Sequence, residues 1–414
     1  MNRNRMNKKR MGRARVLSRA AAGMLAAALC FQPMTALAGP AGDSSLTSSS
    51  SNAGPGGGSG SSNSGSTGSS GGSTSVSNGG VSAVTSGLGV YRVTENEGIG
   101  AIARGVDVSY WQQNVNWSQV ASDNVQFAML ATRFRGNVDP FFAMNAANAS
   151  QAGLRLGAYI YSYATSVEMA QQEADFVLNL IKDYPISFPV VFDAEDANTL
   201  GTLTQSQVSD VINAFCKRIQ DAGYYPMVYA NEYWIANKID MSKISYDIWV
   251  AKYQQKYTYS KTSMWQASNT GSVKGVNGNV DIDYLYKDYT QIIPGNTWRT
   301  IAGNRYYYQN HVMQKAAWIN DGQNWYYMNA AGNPSKGWLE LSGKKYYLEA
   351  DGHMITGWKT LDGGWRYFDA SGEQATGWRA VDGSWYFMAD NGLMQMGWLE
   401  TGGKKYYLNA SGAM

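Results

Sequence analysis

Two acids close the run Phe188-Pro-Val-Val-Phe-Asp193-Ala-Glu195. The apolar residues Val190 to Phe192 read as a buried strand. Strand side chains alternate faces, so acids at i and i+2 point the same way. Two carboxylates on one face repel, and their pKa values are driven apart. One acid held protonated beside one held ionised is what cleavage of a glycosidic bond requires. The plainer alternative is a solvated loop after a strand. Both histidines, His311 and His353, lie far downstream. The stretch around Asp193 therefore supports no Ser-His-Asp triad, no Cys-His pair and no His-ligated zinc. Cys216 sits in helical apolar spacing and reads as a core thiol. Neither a metal nor an organic cofactor is expected.

The elements that must position these acids alternate between strand and helix from about residue 100 to 290. Strands are expected at Gly105–Ser109, Gln126–Ala131, Arg155–Tyr163, Phe188–Phe192, Pro226–Ala230, Asp247–Ala251 and Met264–Ser268. Helices are expected over Phe142–Ala152, from Ser166 to about Lys182, and over Gln205–Ala222, with Gly153 and Gly223 as terminators. Repeated strand–helix–strand units call for a parallel sheet. About 190 residues with eight or so strands suggest a barrel, irregular on its last side. In such barrels the chemistry lies at the C-terminal strand ends, where Asp193 and Glu195 fall.

The 414-residue chain is long enough for two or three domains. Residues 1–38 read as a secretory signal peptide. It has a basic start, an apolar run from Ala20 to Phe31, and Ala36-Leu37-Ala38 as the small-x-small site. Eight of the 34 basic residues and none of the 31 acidic ones lie there, so the remainder carries 26 against 31, a net of −5. The basic balance thus belongs to targeting and offers nothing to nucleic acid. No membrane attachment is expected after cleavage. Residues 39–98, dominated by Gly and Ser, read as a disordered linker. Residues 99–292 form the barrel domain and 293–414 a repeat domain.

That last region repeats every 20 residues. Trp298, Trp318, Trp338, Trp358, Trp378 and Trp398 keep the step without a slip, as do a second aromatic cluster and the glycines at 332, 352, 372, 392 and 412. Each unit reads as a short hairpin that cannot bury its aromatic face alone, so neighbouring units must stack.

Four stretches now combine: Gly105-Val-Asp107-Val-Ser-Tyr-Trp-Gln, Pro189-Val-Val-Phe-Asp193-Ala-Glu195, Trp265-Gln266 and Gly278-Asn-Val-Asp281-Ile-Asp283. In this order they resemble glycoside hydrolase family 25, the muramidases also called Chalaropsis-type lysozymes. The resemblance spans about 100 to 290. It implies an irregular (β/α)5β3 barrel of the TIM type, in the α/β class, followed here by an all-β hairpin-repeat solenoid. It implies cleavage of the β-1,4 bond from N-acetylmuramic acid to N-acetylglucosamine in bacterial peptidoglycan. The catalytic acids fall on Asp107, Asp193, Glu195 and Asp281, with Glu195 as the proton donor. Asp193 either engages the substrate's N-acetyl group or stabilises positive charge at the anomeric carbon. Tyr110 stands where many relatives carry His. Tyr110, Tyr161, Tyr163, Tyr229, Trp249 and Trp265 are candidates to line the sugar groove, as is Asp283, where the family commonly has Asn. For each aromatic, core packing is the competing role.

The tail resembles choline-binding, or more generally cell-wall-binding, repeats through Gly337-Trp338, Gly357-Trp358, Gly377-Trp378 and Gly397-Trp398. The resemblance implies a quaternary ammonium held in an aromatic cage between hairpins by cation–π attraction. Candidate cage residues are Trp318, Trp325, Tyr347, Trp358, Trp365, Trp378, Trp385, Tyr386 and Tyr407. The units of Trp298, Trp338 and Trp398 carry Arg305, Lys345 and Lys405 at the second place and are expected to bind nothing. The expected partners are peptidoglycan and either a choline-bearing teichoic acid or another wall polymer. Together these features describe a secreted, cell-wall-associated muramidase. The alternatives are a non-catalytic wall-binding adhesin on a degenerate barrel and a glycosidase acting on chitin.

Overall fold

The computed structural model describes residues 75–78, 81–93, 100–253 and 255–414. The expected signal segment and the first part of the expected linker lie outside the described residues. The linker reading gives way at Ser75. Strands Ser75–Asn78, Val81–Ser86 and Gly89–Val93 form an antiparallel sheet. Gly89, with φ +98°, lies just after its second turn. Tyr91 is fully buried, and the Arg92 backbone exchanges hydrogen bonds with the Asn124 side chain. The composition of the segment masked this short alternating run ending in an aromatic.

The next eight strands close a barrel. They are β1 (Ala103–Val108), β2 (Phe127–Ala131), β3 (Arg155–Tyr161), β4 (Ile186–Asp193), β5 (Pro226–Asn231), β6 (Asp247–Ala251), β7 (Thr262–Gly271) and β8 (Val280–Leu285). Helices α1 (Trp117–Ser122), α2 (Phe142–Gln151), α3 (Val167–Ile181), α4 (Gln205–Asp221) and α5 (Glu232–Asn237) follow the first five strands in turn. All neighbours are parallel except β8, which runs antiparallel to both β7 and β1. This is the expected (β/α)5β3 barrel.

The long helices begin and end where side-chain chemistry dictates. Ser166 and Thr204 cap α3 and α4 by accepting from backbone N–H groups, and Thr204 forms a capping box with Gln207. Gly153 and Gly223 follow the helix ends with φ of +85° and +89°. Helices α1 and α5 have only six residues each, too few to show an apolar period. Asn116 and Asn231 cap them.

Parity along each strand sorts the core into two layers. Outward residues such as Val106, Val108, Ala128, Leu130, Val190, Phe192 and Val228 pack beneath the helices. Inward residues Phe127, Met129, Phe188, Val191, Met227, Trp249, Met264 and Leu285 fill the barrel. Filling requires a missing side chain at Gly105, where a Cβ would stand 2.2 Å from the Phe127 ring. Between β3 and β4 the register shifts after Leu156↔Ile186, and the shifted stretch holds Pro189, which has no N–H to offer a ladder.

Beyond the barrel, hairpins follow one another: Thr297–Ile301 with Asn304–Gln309, then Ala317–Asn320 with Trp325–Met328, and four more through Lys404–Leu408. Five of the turns place a residue and the following glycine at positive φ, as at Asp362-Gly363 and Asp382-Gly383. Successive units are tied by backbone bonds of constant spacing. Met354, Gln374, Met394 and Met414 N–H donate to the carbonyls of Trp325, Lys345, Trp365 and Trp385.

Candidate active site

The C-terminal ends of the strands surround a cavity of about 520 Å³. Asp107 ends the inward face of β1, and Asp193 is the last residue of β4. Glu195 lies two residues past the strand, in the following loop, and still reaches the same cavity. Asp281 enters from the antiparallel strand β8, directly opposite Asp107 in the register. All four expected catalytic acids line this one cleft.

Their environments differ. Asp107 and Asp193 are buried, while Glu195 and Asp281 are half-buried and open to the cavity. Burial lifts Asp107 well above the ordinary carboxylate range, with the Asp281 charge adding to it. Burial, then the Glu195 charge, does the same to Asp193. Glu195 is raised by burial and by the charges of Asp281 and Asp196. Burial carries Asp281 up to about 6. Asp196 goes the other way. Burial would raise it, but hydrogen bonds from Thr199, Tyr161 and the Asn198 backbone outweigh that and hold it low. An ionised carboxylate therefore sits next to Glu195 in sequence and favours its protonated form.

The ligands of the acids are equally uneven. Gln266 Nε2 donates to Asp107 Oδ2 at 2.7 Å. The Gln266 Oε1 acceptor is fixed in turn by Tyr229 and Tyr253 hydroxyls, each at 2.8 Å. Asp193 Oδ1 is buried with no hydrogen-bond partner among the described residues. A buried acceptor without a donor is costly, and Asp193 lines the cavity.

Of the expected groove residues, Tyr161, Tyr163, Tyr229 and Trp249 line the cavity. Three others do not. Trp265 points outward from β7, packs on Tyr257 and Tyr284, and donates to the Lys252 carbonyl. Its neighbour Gln266 holds the inward position, so strand parity decides against Trp265. Asp283 shares the inward face with Asp281 but lies one layer deeper, fully buried, with Oδ1 accepting from Trp249 Nε1 at 3.0 Å. Tyr110 stacks on Phe134 with centroids 4.0 Å apart and stands behind the lining.

Residues missed from the sequence complete the walls. Trp111, 67% exposed, meets Phe134 edge to face. Arg133, Phe134 and Arg135 come from a small hairpin, Arg133–Phe134 paired with Asn137–Val138. Arg133 is held by the buried Glu173 of α3, which also accepts from Ser162 Oγ and the Tyr163 N–H. The Gly-Val-Asp-Val-Ser-Tyr-Trp run could have pointed to Trp111.

The family model for glycosyl hydrolases family 25 matches residues 106–276. YegX of Escherichia coli K12, an uncharacterised protein, is 31% identical over 189 residues, covering 43% of this chain and 68% of its own length. The chain belongs to glycosyl hydrolases family 25. Lysozyme M1 of Streptomyces globisporus is 30% identical over 195 residues, covering 43% of this chain and 66% of its own length. A solved lysozyme from Streptomyces coelicolor shares 25% identity, covers 46% of this chain and 95% of that one, and superposes with a TM-score of 0.38. As a family 25 member the chain is a glycoside hydrolase. A choline-binding repeat model matches residues 335–376 and 375–414, and a cell wall binding repeat model matches 317–333.

In three of these repeats the tryptophan of the 20-residue step meets a tyrosine of the next unit edge to face. The pairs are Trp318 with Tyr346 at 5.0 Å, Trp358 with Tyr386 at 4.8 Å and Trp378 with Tyr406 at 4.8 Å. Trp365 and Trp385 join their own units' Trp358 and Trp378 at 6.4 Å, and Trp325, 47% exposed, holds the equivalent place. Two expected cage residues are displaced. Tyr347 and Tyr407 pack on the tryptophans of their own units, Trp338 and Trp398. Adjacent residues of a strand face opposite ways, so Tyr346 and Tyr406 take the bridging role.

Proposed function

We propose that this chain is a secreted peptidoglycan hydrolase. It cleaves the β-1,4 bond between N-acetylmuramic acid and N-acetylglucosamine, and its aromatic repeats hold it on choline-bearing wall polymer. The observation that carries the catalytic reading is the convergence of Asp107, Asp193, Glu195 and Asp281 on one open cleft, with Glu195 raised and reachable from the cavity.

Glu195 is the general acid. Its burial and the neighbouring Asp196 and Asp281 charges favour the proton it must deliver to the leaving oxygen. The unpartnered Asp193 Oδ1 suits an acetamido N–H of the substrate and would orient that group beside the anomeric carbon. Asp281, ionised above about pH 6, supplies negative potential where positive charge develops on the sugar, and Gln266 steadies Asp107 opposite it. Tyr161, Tyr163 and Trp111 offer ring faces to the glycan.

The test is digestion of purified peptidoglycan by the chain and by Glu195→Gln, with the new reducing ends identified. Muramic acid ends, lost by a factor of about 10²–10⁴ in the variant, are expected. Glucosamine ends, or activity that survives the substitution, would overturn the assignment.

A further inference from the structure

The six tryptophans that recur every 20 residues are not equivalent. In each hairpin the residue seven places on lies on the same face as the tryptophan, because it sits two before the cross-strand partner. Trp298 pairs with Tyr307 and Trp338 with Tyr347, as Trp358 pairs with Tyr367. That seventh place holds Trp325, Trp365 and Trp385 in three units, but Arg305 and Lys345 in the units of Trp298 and Trp338. The residue 28 places on supplies the ring from the next unit: Tyr326, Tyr346, Tyr386 and Tyr406. Only after Trp338 is that ring replaced, by Arg366.

At both departures a guanidinium covers the indole. Arg305 Cζ stands 4.1 Å from the centroid of Trp298, and Tyr307 and Tyr326 flank the same indole at 5.1 and 4.9 Å. Arg366 Cζ stands 5.0 Å from the centroid of Trp338. Arg366 is only 7% exposed. Asp362 Oδ2 accepts from its Nη2 at 3.4 Å, and the Leu361 and Asn391 carbonyls accept from its other nitrogens. Asp362 also accepts from Trp338 Nε1 at 3.2 Å. Among the described residues, no Lys or Arg lies over Trp318, Trp358 or Trp378. The indole face is attractive to any cation, so a guanidinium fixed over it competes with one from solution as an intramolecular ligand.

We propose that the array carries three open organic-cation sites, at Trp318, Trp358 and Trp378, and two closed ones, at Trp298 and Trp338, filled by the chain's own Arg305 and Arg366. The closed sites trade ligand capacity for permanent inter-unit contacts, since Arg366 joins its own unit to the one before and to Asn391 in the one after. This rests on the reading of the array as a cation binder.

The test is isothermal titration of the full chain with choline chloride. Three sites per chain are expected, and Trp358→Ala should leave two. Arg305→Trp restores the residue that three sister units carry at that place and should give four. Lys345→Trp with Arg366→Tyr rebuilds the second closed corner and should independently give four. Near-UV circular dichroism verifies folding in each case. Five sites in the unmodified chain, or a count fixed at three in both folded variants, would overturn the closed-site assignment while sparing the cation reading. No binding at all would overturn both.

Discussion

Asp281 is a carboxyl that the fold holds at a cost, and removing its charge should stabilise the protein. Its pKa stands at about 6 against an ordinary 3.8. At about 1.4 kcal/mol per unit, a shift of that size opposes folding by about 3 kcal/mol once the group is ionised. The direction follows from proton counting. The folded chain binds this proton more tightly than the unfolded chain, so Asp281 costs nothing below pH 3.8. Its cost grows as pH rises from 3.8 to about 6 and is constant above. Asp281→Asn keeps the shape and removes the charge. Urea unfolding should show no gain at pH 3 and a gain of about 3 kcal/mol at pH 7.5. A second readout comes from the neighbours. The Asp281 charge helps to raise Glu195 and Asp107, so the alkaline limb of any residual activity should move to lower pH in the variant. A variant no more stable at pH 7.5 than the parent, or one with the same gain at both pH values, would refute the reasoning that burial of this charge is costly.

Two further outcomes follow from the same cleft. Asp283 is fully buried and raised well above the carboxylate range, first by burial and then by the charges of Asp107 and Asp281. Asp283→Asn should therefore keep kcat within about tenfold, because a neutral side chain already suits that place; loss as large as that of Glu195→Gln would show Asp283 acting as an ionised group. Glu173→Gln breaks the buried pair with Arg133 and should cost about 3 kcal/mol of stability while raising KM more than it lowers kcat. Its alkaline limb should stay in place, since Glu173 is not among the groups that raise Glu195.

The sequence revealed which acids gather at the cleft far better than how deep each one lies. Asp107, Asp193 and Asp281 were legible because acids at the ends of apolar strands are rare and expensive, and a barrel has only one end that gathers them. Glu195 was legible for the same reason, although it sits past the strand rather than on it. Asp283 shows the limit. Its parity matches that of Asp281, and parity tells the face but not the layer. Trp265 was chosen by its chemistry when its odd position along β7 turned it outward, and Gln266 was passed over because an amide carries no chemical signal until its partners are known. The same error of one residue exchanged Tyr347 for Tyr346 and Tyr407 for Tyr406. Arg133 and Trp111 reach the cleft from a short hairpin and a single helical turn past the strand ends, and the direction of Arg133 depends on the distant Glu173 on α3.

The joint between barrel and repeats lies at the end away from the chemistry. Arg299, on the first repeat strand and 1% exposed, is clamped between Tyr224 at 3.9 Å and Tyr308 at 4.3 Å. The Thr300 N–H donates to the Ala222 carbonyl, the Tyr308 hydroxyl donates to the Lys182 carbonyl, and Lys315 pairs with Asp183. Lys182 and Ala222 end helices α3 and α4. Helices that return between parallel strands finish at the strands' N-terminal side, whereas the four acids gather at the C-terminal side. The first repeat thus uses carbonyls left open at two helix ends and a buried cation–π stack, and it takes nothing from the cleft. A glycan can cross the acids unobstructed by the joint while the array engages wall polymer, which is the arrangement required of an enzyme that must stay attached to the material it cuts.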